Sequence, residues 1–459
     1  MVHQYQLNGY YIVVDTCSGS IHSVDDVAYD VISLYETHSE DEIIRKILAD
    51  YPDRRDVNQE EIRECLEDIQ LLKKENRLFS KDLFEPLSEN LAMKQDTVKA
   101  LCLHVAHTCN LNCSYCFAAQ GKYHGERDLM SFETGKKAID FLISHSGDRH
   151  NLEVDFFGGE PLMNWETVKE IVAYARLREK EENKHFRFTL TTNGVLIDQE
   201  VMDFCNREMD NVVLSLDGRK EVHDHFRKDY QGRGSYEKVV PLFQAFVQSR
   251  RGKSYYIRGT FTHHNTDFTK DIFHMADLGF TELSMEPVVC PPSDPYALTQ
   301  EDLPVLYEQY EILAKEMLRR KKEGRPFTFY HYMLDLSHGP CIYKRIAGCG
   351  SGTEYLAVTP KGELYPCHQF VGETAYRLGD LEKGIVNSAL RDRFASCNVY
   401  ARPQCRDCWA RLYCSGGCAA NAYHATGDIG GIYEYGCQLF KKRLECAIML
   451  QVAESEEEG

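Results

Sequence analysis

The chain has 459 residues, enough for two or three domains, and its apolar content of 43% is ordinary for a globular protein. It carries 71 acidic and 53 basic residues, a net charge of −18, which argues against a nucleic-acid partner because nucleic-acid-binding surfaces are normally basic. We see no signal segment and no apolar run long enough to span a membrane, so we expect a cytoplasmic protein without a membrane partner. In that reducing compartment, the 18 cysteines would serve metal binding or catalysis rather than disulfides.

Residues 1–80 show strand signals followed by helix signals. Asn8-Gly9 is a strong two-residue hairpin signal. Ser39 with Glu42 forms a capping box, and Asn58 can cap a longer helix whose apolar residues recur with a 3.6-residue period. This order predicts a small winged-helix-like module. The alternative to a binding role for this module is a domain that only packs against the rest of the chain.

Residues 81–98 are polar, contain Pro86 and are predicted to be a linker. In residues 99–320, short apolar strands alternate with helices, which is typical of a parallel sheet with helices outside. The predicted strands are 100–105, 152–157, 186–191, 212–216, 255–262 and 283–287. These six units predict an α/β fold, a partial (β/α)6 barrel, with its functional residues at the carboxyl ends of the strands.

Three cysteines follow the first of these strands: Cys109, Cys113 and Cys116, with spacings of x3 and x2. Thiolates are the usual ligands of a 4Fe–4S cluster, which takes four, so three would leave one iron with an open position. Zinc and buried structural cysteine are the alternatives, although zinc motifs usually come as CxxC pairs. With Tyr115 at the aromatic position, the stretch resembles the signature of the radical S-adenosylmethionine (SAM) superfamily. In that family the open iron chelates the amino and carboxylate groups of SAM, and the resemblance places Tyr115 among the cofactor-contacting residues.

Further candidates lie at the ends of later strands. A motif that resembles the family's binding site for the SAM amino group consists of Gly158, Gly159, Glu160 and Pro161. Its glycines allow close backbone approach, and its carboxylate can accept hydrogen bonds from an ammonium group. The resemblance also implies that Asn193 and Ser215 contact SAM, with Ser215 at the ribose, and that Arg227 pairs with the SAM carboxylate. Each of these polar residues could instead cap the next helix. Cys290, at the open end of the last strand, is either near the substrate or a structural cysteine.

Residues 321–459 are rich in cysteine, and seven of them form a spaced set: Cys349, Cys367, Cys405, Cys408, Cys414, Cys418 and Cys437. Zinc is again the alternative, because CxxC pairs usually indicate zinc. The spacing resembles the SPASM domain of radical SAM peptide maturases. The resemblance implies one auxiliary cluster on Cys349, Cys367 and Cys418, with Cys341 as a candidate fourth ligand, and a second on Cys405, Cys408, Cys414 and Cys437. Without Cys341, the first auxiliary cluster would have an open iron for a substrate thiolate.

As a whole, the chain resembles a radical SAM/SPASM peptide maturase, most closely the thioether maturases of peptides with six cysteines in about forty-five residues (SCIFF, ranthipeptide). The resemblance implies SAM and three 4Fe–4S clusters as cofactors, and a one-electron reductant such as flavodoxin or ferredoxin. It implies that residues 1–80 bind the leader of a Cys-rich precursor peptide by strand addition. The enzyme would then join a Cys sulfur to an acceptor carbon. The alternatives are another SPASM maturase, such as a formylglycine-forming anaerobic sulfatase maturase, and a non-catalytic metal-bearing peptide-binding scaffold. No residue is identified as the general base.

Overall fold

The computed structural model describes residues 1–92, 97–123, 125–336 and 341–458. The N-terminal part begins with an antiparallel sheet in the order β1-β2-β3, whose Asn8-Gly9 turn has the positive φ angles that such turns require. The predicted order of strands and then helices is confirmed, while the winged-helix-like classification stays a prediction. The elements are β1 (Val2–Leu7), β2 (Tyr10–Asp15), β3 (Ile21–Val24), α1 (Asp26–Leu34), α2 (Glu40–Asp50) and α3 (Gln59–Lys74).

The predicted helix starts of this part are confirmed. Ser39 and Glu42 form the capping box of α2, and the Asn58 side chain accepts from the first-turn amides of α3. The buried faces of the three helices and Val13 of β2 form a core of their own.

The segment predicted as a linker contains a helix, α4 (Glu85–Ala92). Asp82 stabilises its start, because Oδ1 accepts from the amides of Phe84 at 2.8 Å and Glu85 at 3.3 Å. The prediction relied on polarity and on Pro86, which a helix tolerates in its first turn.

The six predicted barrel strands are confirmed, and all pair in parallel with their neighbours. Apolar side chains on one face of each strand are buried under the surrounding helices. The elements are β4 (Ala100–Ala106), α5 (Phe132–His145), β5 (Asn151–Gly158), α6 (Trp165–Glu182), β6 (His185–Thr192), α7 (Gln199–Glu208), β7 (Asn211–Ser215), α8 (Lys220–Phe226), α9 (Tyr236–Ser249), β8 (Ser254–Phe261), α10 (Thr269–Asp277), β9 (Glu282–Pro287) and α11 (Leu303–Lys322).

The parallel set is wider than predicted. β10 (Thr328–Phe329) pairs with β9, and β11 (Tyr355–Val358) pairs in parallel with β4. In the described ranges, the sheet runs in the order β10-β9-β8-β7-β6-β5-β4-β11-β12-β13-β14, so it does not close into a barrel. The β4–β11 pairing attaches the cysteine-rich region directly to the strand that precedes Cys109.

The C-terminal region is completed by α12 (Ile342–Ala347), β12 (Glu363–Tyr365), β13 (Gly379–Asp380), β14 (Gly384–Ile385), α13 (Ser388–Ser396), α14 (Pro403–Arg406), α15 (Arg411–Cys414), α16 (Ala419–Thr426) and α17 (Glu434–Glu458). β11 and β12 pair antiparallel as a hairpin. Among the helices of the described residues, none combines the length and apolarity that crossing a bilayer demands.

Candidate active site

The three-cysteine loop lies just beyond the carboxyl end of β4. The Cys109 thiol accepts from the Leu111 amide at 3.4 Å and from Asn193 Nδ2 at 3.5 Å. Burial raises the pKa of Cys109 and of Cys113 to about 12, and neighbouring cysteines add to this rise. Thiolates crowded in this way need a positive partner, and an iron–sulfur cluster supplies one. The donor set therefore fits a cluster held by Cys109, Cys113 and Cys116.

The glycine motif brings two backbone segments into close contact. A Cβ atom on Gly159 would lie 2.2 Å from the carbonyl oxygen of Thr108, and one on Gly121 would lie 2.8 Å from the Gly159 Cα. Gly158 has a φ of +125°, which L-residues rarely adopt. Only glycine therefore permits this turn to lie directly against the three-cysteine loop.

Glu160 of the motif is fully buried at the floor of this region. Its Oε1 accepts from the Leu162 amide at 3.0 Å and the Thr192 hydroxyl at 2.7 Å, and its Oε2 accepts from the Asn193 amide at 2.8 Å. Burial nevertheless raises the pKa of Glu160 to about 7. A ligand ammonium nearby would favour the ionised form, so the site fits the amino group of SAM.

A buried network connects the loop to the strand end after β7. Asp217 accepts from Tyr115 Oη at 2.6 Å, from Arg227 Nε at 2.8 Å and Nη2 at 3.0 Å, and from the Thr260 amide at 3.0 Å. Burial raises the pKa of the Asp217 carboxyl, but the charge and hydrogen bonds of Arg227, together with His223 and Tyr115, outweigh this and lower the pKa overall. Arg227 thus already has a carboxylate partner in this structure, and its pairing with the SAM carboxylate stays a prediction.

These elements surround a cavity of about 240 Å³. Its walls include every predicted SAM-contacting residue except Glu160 and Pro161, which are buried. Asn193 donates to Asn110 Oδ1 at 2.7 Å, and the buried Asn110 Nδ2 has no partner among the described residues. The predicted residues at the wall are Cys109, Cys113, Tyr115, Cys116, Gly158, Gly159, Asn193, Ser215 and Arg227.

A second cavity of about 350 Å³ lies beside the first, and the two share part of their walls. Its far side is lined by three predicted auxiliary ligands, Cys414, Cys418 and Cys437. The residues that line both cavities are Arg258, Glu286, Pro287, Val289 and Gln369. The sequence interpretation missed Arg258 and Glu286. The available signal was a charged side chain on each of two strands that are otherwise largely apolar or neutral.

The auxiliary cysteines fall into two groups in space. The pKa of Cys367 is raised to about 12 by burial and by Cys418 and Cys349. The pKa of Cys414 is raised to about 12 by burial and by Cys437, Cys405 and Cys408. These groups match the two predicted ligand sets, although no three metal-ligating side chains of the described residues converge in a preformed site.

Two further cysteines remain outside these groups. Cys341 is exposed at the start of α12, and the preceding residues 337–340 lie outside the described ranges, so its role as fourth ligand stays a prediction. Cys290 lines neither cavity. Burial raises its pKa to about 11, with a smaller contribution from the charge of Asp294.

Two family descriptions match the chain. Residues 103–274 match the radical SAM superfamily, and residues 349–409 match SPASM, an iron-sulfur cluster-binding domain. The chain carries a radical SAM domain and a SPASM domain. This confirms the predicted SAM-dependent, iron–sulfur character of the protein, while the individual ligands stay predictions.

Similar proteins support the same assignment. The radical SAM cyclopropyl synthase TigE from Paramaledivibacter caminithermalis is 21% identical over 373 residues, covering 75% of this chain and 73% of TigE. A cysteine-type anaerobic sulfatase-maturating enzyme from Clostridium novyi is 26% identical over 340 residues, covering 68% of this chain and 85% of that enzyme.

Two solved structures show the fold. Native anSMEcpe with bound AdoMet has a TM-score of 0.65 at 22% identity, covering 78% of this chain and 99% of that one. Streptococcus suis SuiB bound to precursor peptide SuiA has a TM-score of 0.53 at 15% identity, covering 92% of this chain and 95% of SuiB. The radical SAM fold with a C-terminal SPASM domain is therefore confirmed.

Proposed function

We propose that this radical SAM protein is a peptide maturase that joins Cys sulfur atoms of a Cys-rich precursor peptide to acceptor carbons as thioethers. The observation that carries the proposal is that the two cavities share a wall. One is walled by the three-cysteine loop and the other by auxiliary cysteines, so a single peptide segment can lie between them.

The reaction is an oxidation, because an S–H bond and a C–H bond are replaced by an S–C bond with loss of a hydrogen pair. SAM and a reduced cluster supply the radical chemistry for C–H cleavage, and auxiliary clusters offer an exit for the surplus electron. We assign three 4Fe–4S clusters to the three cysteine groups and an external one-electron carrier, flavodoxin or ferredoxin, as reductant. The chain's own residues bind SAM and position the cluster loop. Glu160 accepts from the SAM ammonium, and the hydrogen bond from Tyr115 to Asp217 fixes the three-cysteine loop.

The N-terminal module supports a peptide substrate. β3 is an edge of its sheet within the described residues, and such an edge can accept an added strand. SuiB, which was solved with its precursor peptide, covers 92% of this chain, whereas anSMEcpe covers 78% while matching along 99% of its own length. A module beyond the sulfatase-maturase fold is expected of an enzyme that grips a leader peptide.

The module also contacts the cysteine-rich domain. The His3 ring stacks on Trp409 at 3.8 Å, and Arg411 donates to the Cys17 thiol at 3.2 Å. Trp409 and Arg411 lie between the predicted cluster ligands Cys408 and Cys414. A bound leader would therefore be held close to the second auxiliary cluster, at a fixed distance from the cavities.

Formylglycine formation on a sulfatase is the second candidate function. It is favoured by the similarity to the Clostridium novyi enzyme and by the TM-score of 0.65 with anSMEcpe. A non-catalytic peptide-binding scaffold is the weaker alternative, because residues 103–274 match the radical SAM superfamily and the glycine motif lies directly against the three-cysteine loop.

The test is mass spectrometry of a candidate Cys-rich precursor peptide after anaerobic incubation with reconstituted, reduced protein and SAM. We expect loss of a hydrogen pair per crosslink and thiols that no longer react with an alkylating agent. A precursor that keeps all its free thiols would contradict the thioether proposal. Conversion of a Cys to an aldehyde in a sulfatase-derived peptide would favour the second candidate.

A further inference from the structure

The wall shared by the two cavities contains the guanidinium group of Arg258, which has no partner among the described residues. Arg258 lies on β8, and its exposed side chain lines both cavities. No other described residue forms a side-chain hydrogen bond or ion pair with it. The other arginines at these walls are paired: Arg227 with Asp217, and Arg443 with Glu286 at 3.7 Å.

The charges around Arg258 do not compensate it. Glu286 is the one acidic residue lining these cavities in the described part of the chain, and it contacts His331 at 3.3 Å as well as Arg443. Burial lowers the pKa of His331 to about 4, so this imidazole is neutral near pH 7. Apart from its cysteines, the second cavity is thus lined by two guanidinium groups and one carboxylate, and that carboxylate lies with Arg443 and His331 rather than with Arg258. Arg258 is therefore available to an anionic ligand group.

A carboxylate is the ligand group that suits a free guanidinium, because the two form paired hydrogen bonds. SAM and a polypeptide both carry one. Glu160, the proposed partner of the SAM ammonium, follows β5, and β8 lies three strand spacings away, about 14 Å along the sheet. The amino and carboxylate groups of SAM share one carbon, so a SAM held at Glu160 keeps its carboxylate away from Arg258.

We propose that Arg258 binds the side-chain carboxylate of an Asp or Glu residue of the substrate polypeptide in the cavity between the SAM site and the auxiliary cysteines. This inference rests on the proposed peptide-maturase function and deepens it, since it names a positioning contact. Arg258 pairs in register with Ser215 and Ser284 on the neighbouring strands, so the bound residue lies beside the predicted ribose contact. An acidic residue of the peptide would therefore be held next to the reacting carbon.

The experiment uses the reconstituted, unreduced protein saturated with SAM. The probes are two blocked amino acids, N-acetyl-aspartic acid N-methylamide and its asparagine counterpart, titrated by calorimetry. We expect the aspartate probe to bind at least about tenfold more tightly than the asparagine probe, and Arg258→Gln to abolish this preference. Arg187→Gln is the matched control: Arg187 lies on β6, two strands away from β8, exposed and outside both cavities, and its loss should leave the preference unchanged.

SAM binding is measured in the same variants. We expect SAM affinity to change by less than about twofold in Arg258→Gln. A tenfold loss would assign the guanidinium to the SAM carboxylate and overturn the proposal, as would a wild-type protein without preference or a variant that retains it. Arg258→Met keeps the aliphatic stem and serves as the second variant if Arg258→Gln fails to fold. A precursor peptide left unmodified by the wild type would defeat the proposed function, whereas the blocked probes decide the role of Arg258 independently.

Discussion

At the scale of single residues, the site depends on buried charges with assigned partners. Asp217 is fully buried and compensates Arg227, whose side chain is 12% exposed. Removing one partner of such a pair leaves an uncompensated charge and costs about 3 kcal/mol.

We therefore expect Asp217→Asn to lower the free energy of unfolding of the apoprotein by about 3 kcal/mol, measured by urea denaturation. Glu237→Gln, which removes the partner of Lys220 in an exposed pair, is the control and should change it by less than about 0.5 kcal/mol. Equal effects of the two substitutions would show that the buried pair contributes nothing particular.

The partly buried carboxyl of Asp155 predicts a pH dependence of the free energy of unfolding. Burial, with a smaller contribution from Glu153, raises the pKa of Asp155 to about 6. In the unfolded chain an Asp carboxyl has a pKa near about 4. Between about pH 4 and pH 6, Asp155 is therefore protonated in the folded state and ionised in the unfolded state. The ionised form is disfavoured in the fold, so Asp155 destabilises the fold increasingly as the pH rises through this range.

Replacing Asp155 by Asn removes this dependence. We expect Asp155→Asn to raise the free energy of unfolding by up to about 2 kcal/mol near pH 8 and to change it little near pH 4, by denaturation at both pH values. Glu126→Gln, at an exposed position outside this strand, should have an effect below about 0.5 kcal/mol at either pH. A stabilisation that is larger at low pH would refute the assigned direction.

At the scale of elements, the close contact between the glycine turn and the three-cysteine loop is decisive. A Cβ atom on Gly159 would meet the backbone oxygen of Thr108, which cannot move without displacing the loop. We expect Gly159→Ala to weaken SAM binding at least about tenfold, or about 1.4 kcal/mol, in equilibrium dialysis.

The matched control for this turn is Gly125→Ala. A Cβ atom on Gly125 would have the Lys122 carbonyl oxygen at 3.5 Å, which is ordinary contact. SAM affinity should therefore stay within about twofold of the wild type. A similar loss of SAM affinity in both variants would mean that any substitution in this region weakens binding, and that the contact between Gly159 and Thr108 has no particular role.

Much at this scale could be predicted because it is local. The cap residues Ser39 and Asn58 start helices where the sequence places them, and apolar runs identify the six barrel strands. Three features could not be predicted: the pairing of β11 with β4, the Arg227–Asp217 pair and the wall shared by the two cavities. In each of them the folded chain brings residues together that do not follow one another in a periodic pattern, and the periodicity of a single sequence carries no information about such contacts.

At the scale of the whole molecule, the cysteine groups predict the metal content. Three clusters correspond to about twelve irons and about twelve sulfides per chain after anaerobic reconstitution. Replacing Cys405, Cys408, Cys414 and Cys437 together by Ala should remove about four irons and leave the rest. As the control, Cys446→Ala changes a buried cysteine assigned to no cluster and should not alter the iron count. Zinc in place of iron would contradict the assignment.

The thioether claim is tested most directly by a competition experiment. Equal concentrations of the Cys-rich precursor peptide and a Cys-containing sulfatase peptide are incubated anaerobically with reduced holoprotein and SAM, and tandem mass spectrometry identifies the modified residues. We predict that the precursor loses a hydrogen pair per crosslink and that the Cys of the sulfatase peptide remains intact. An aldehyde on the sulfatase peptide beside an unmodified precursor would contradict the account.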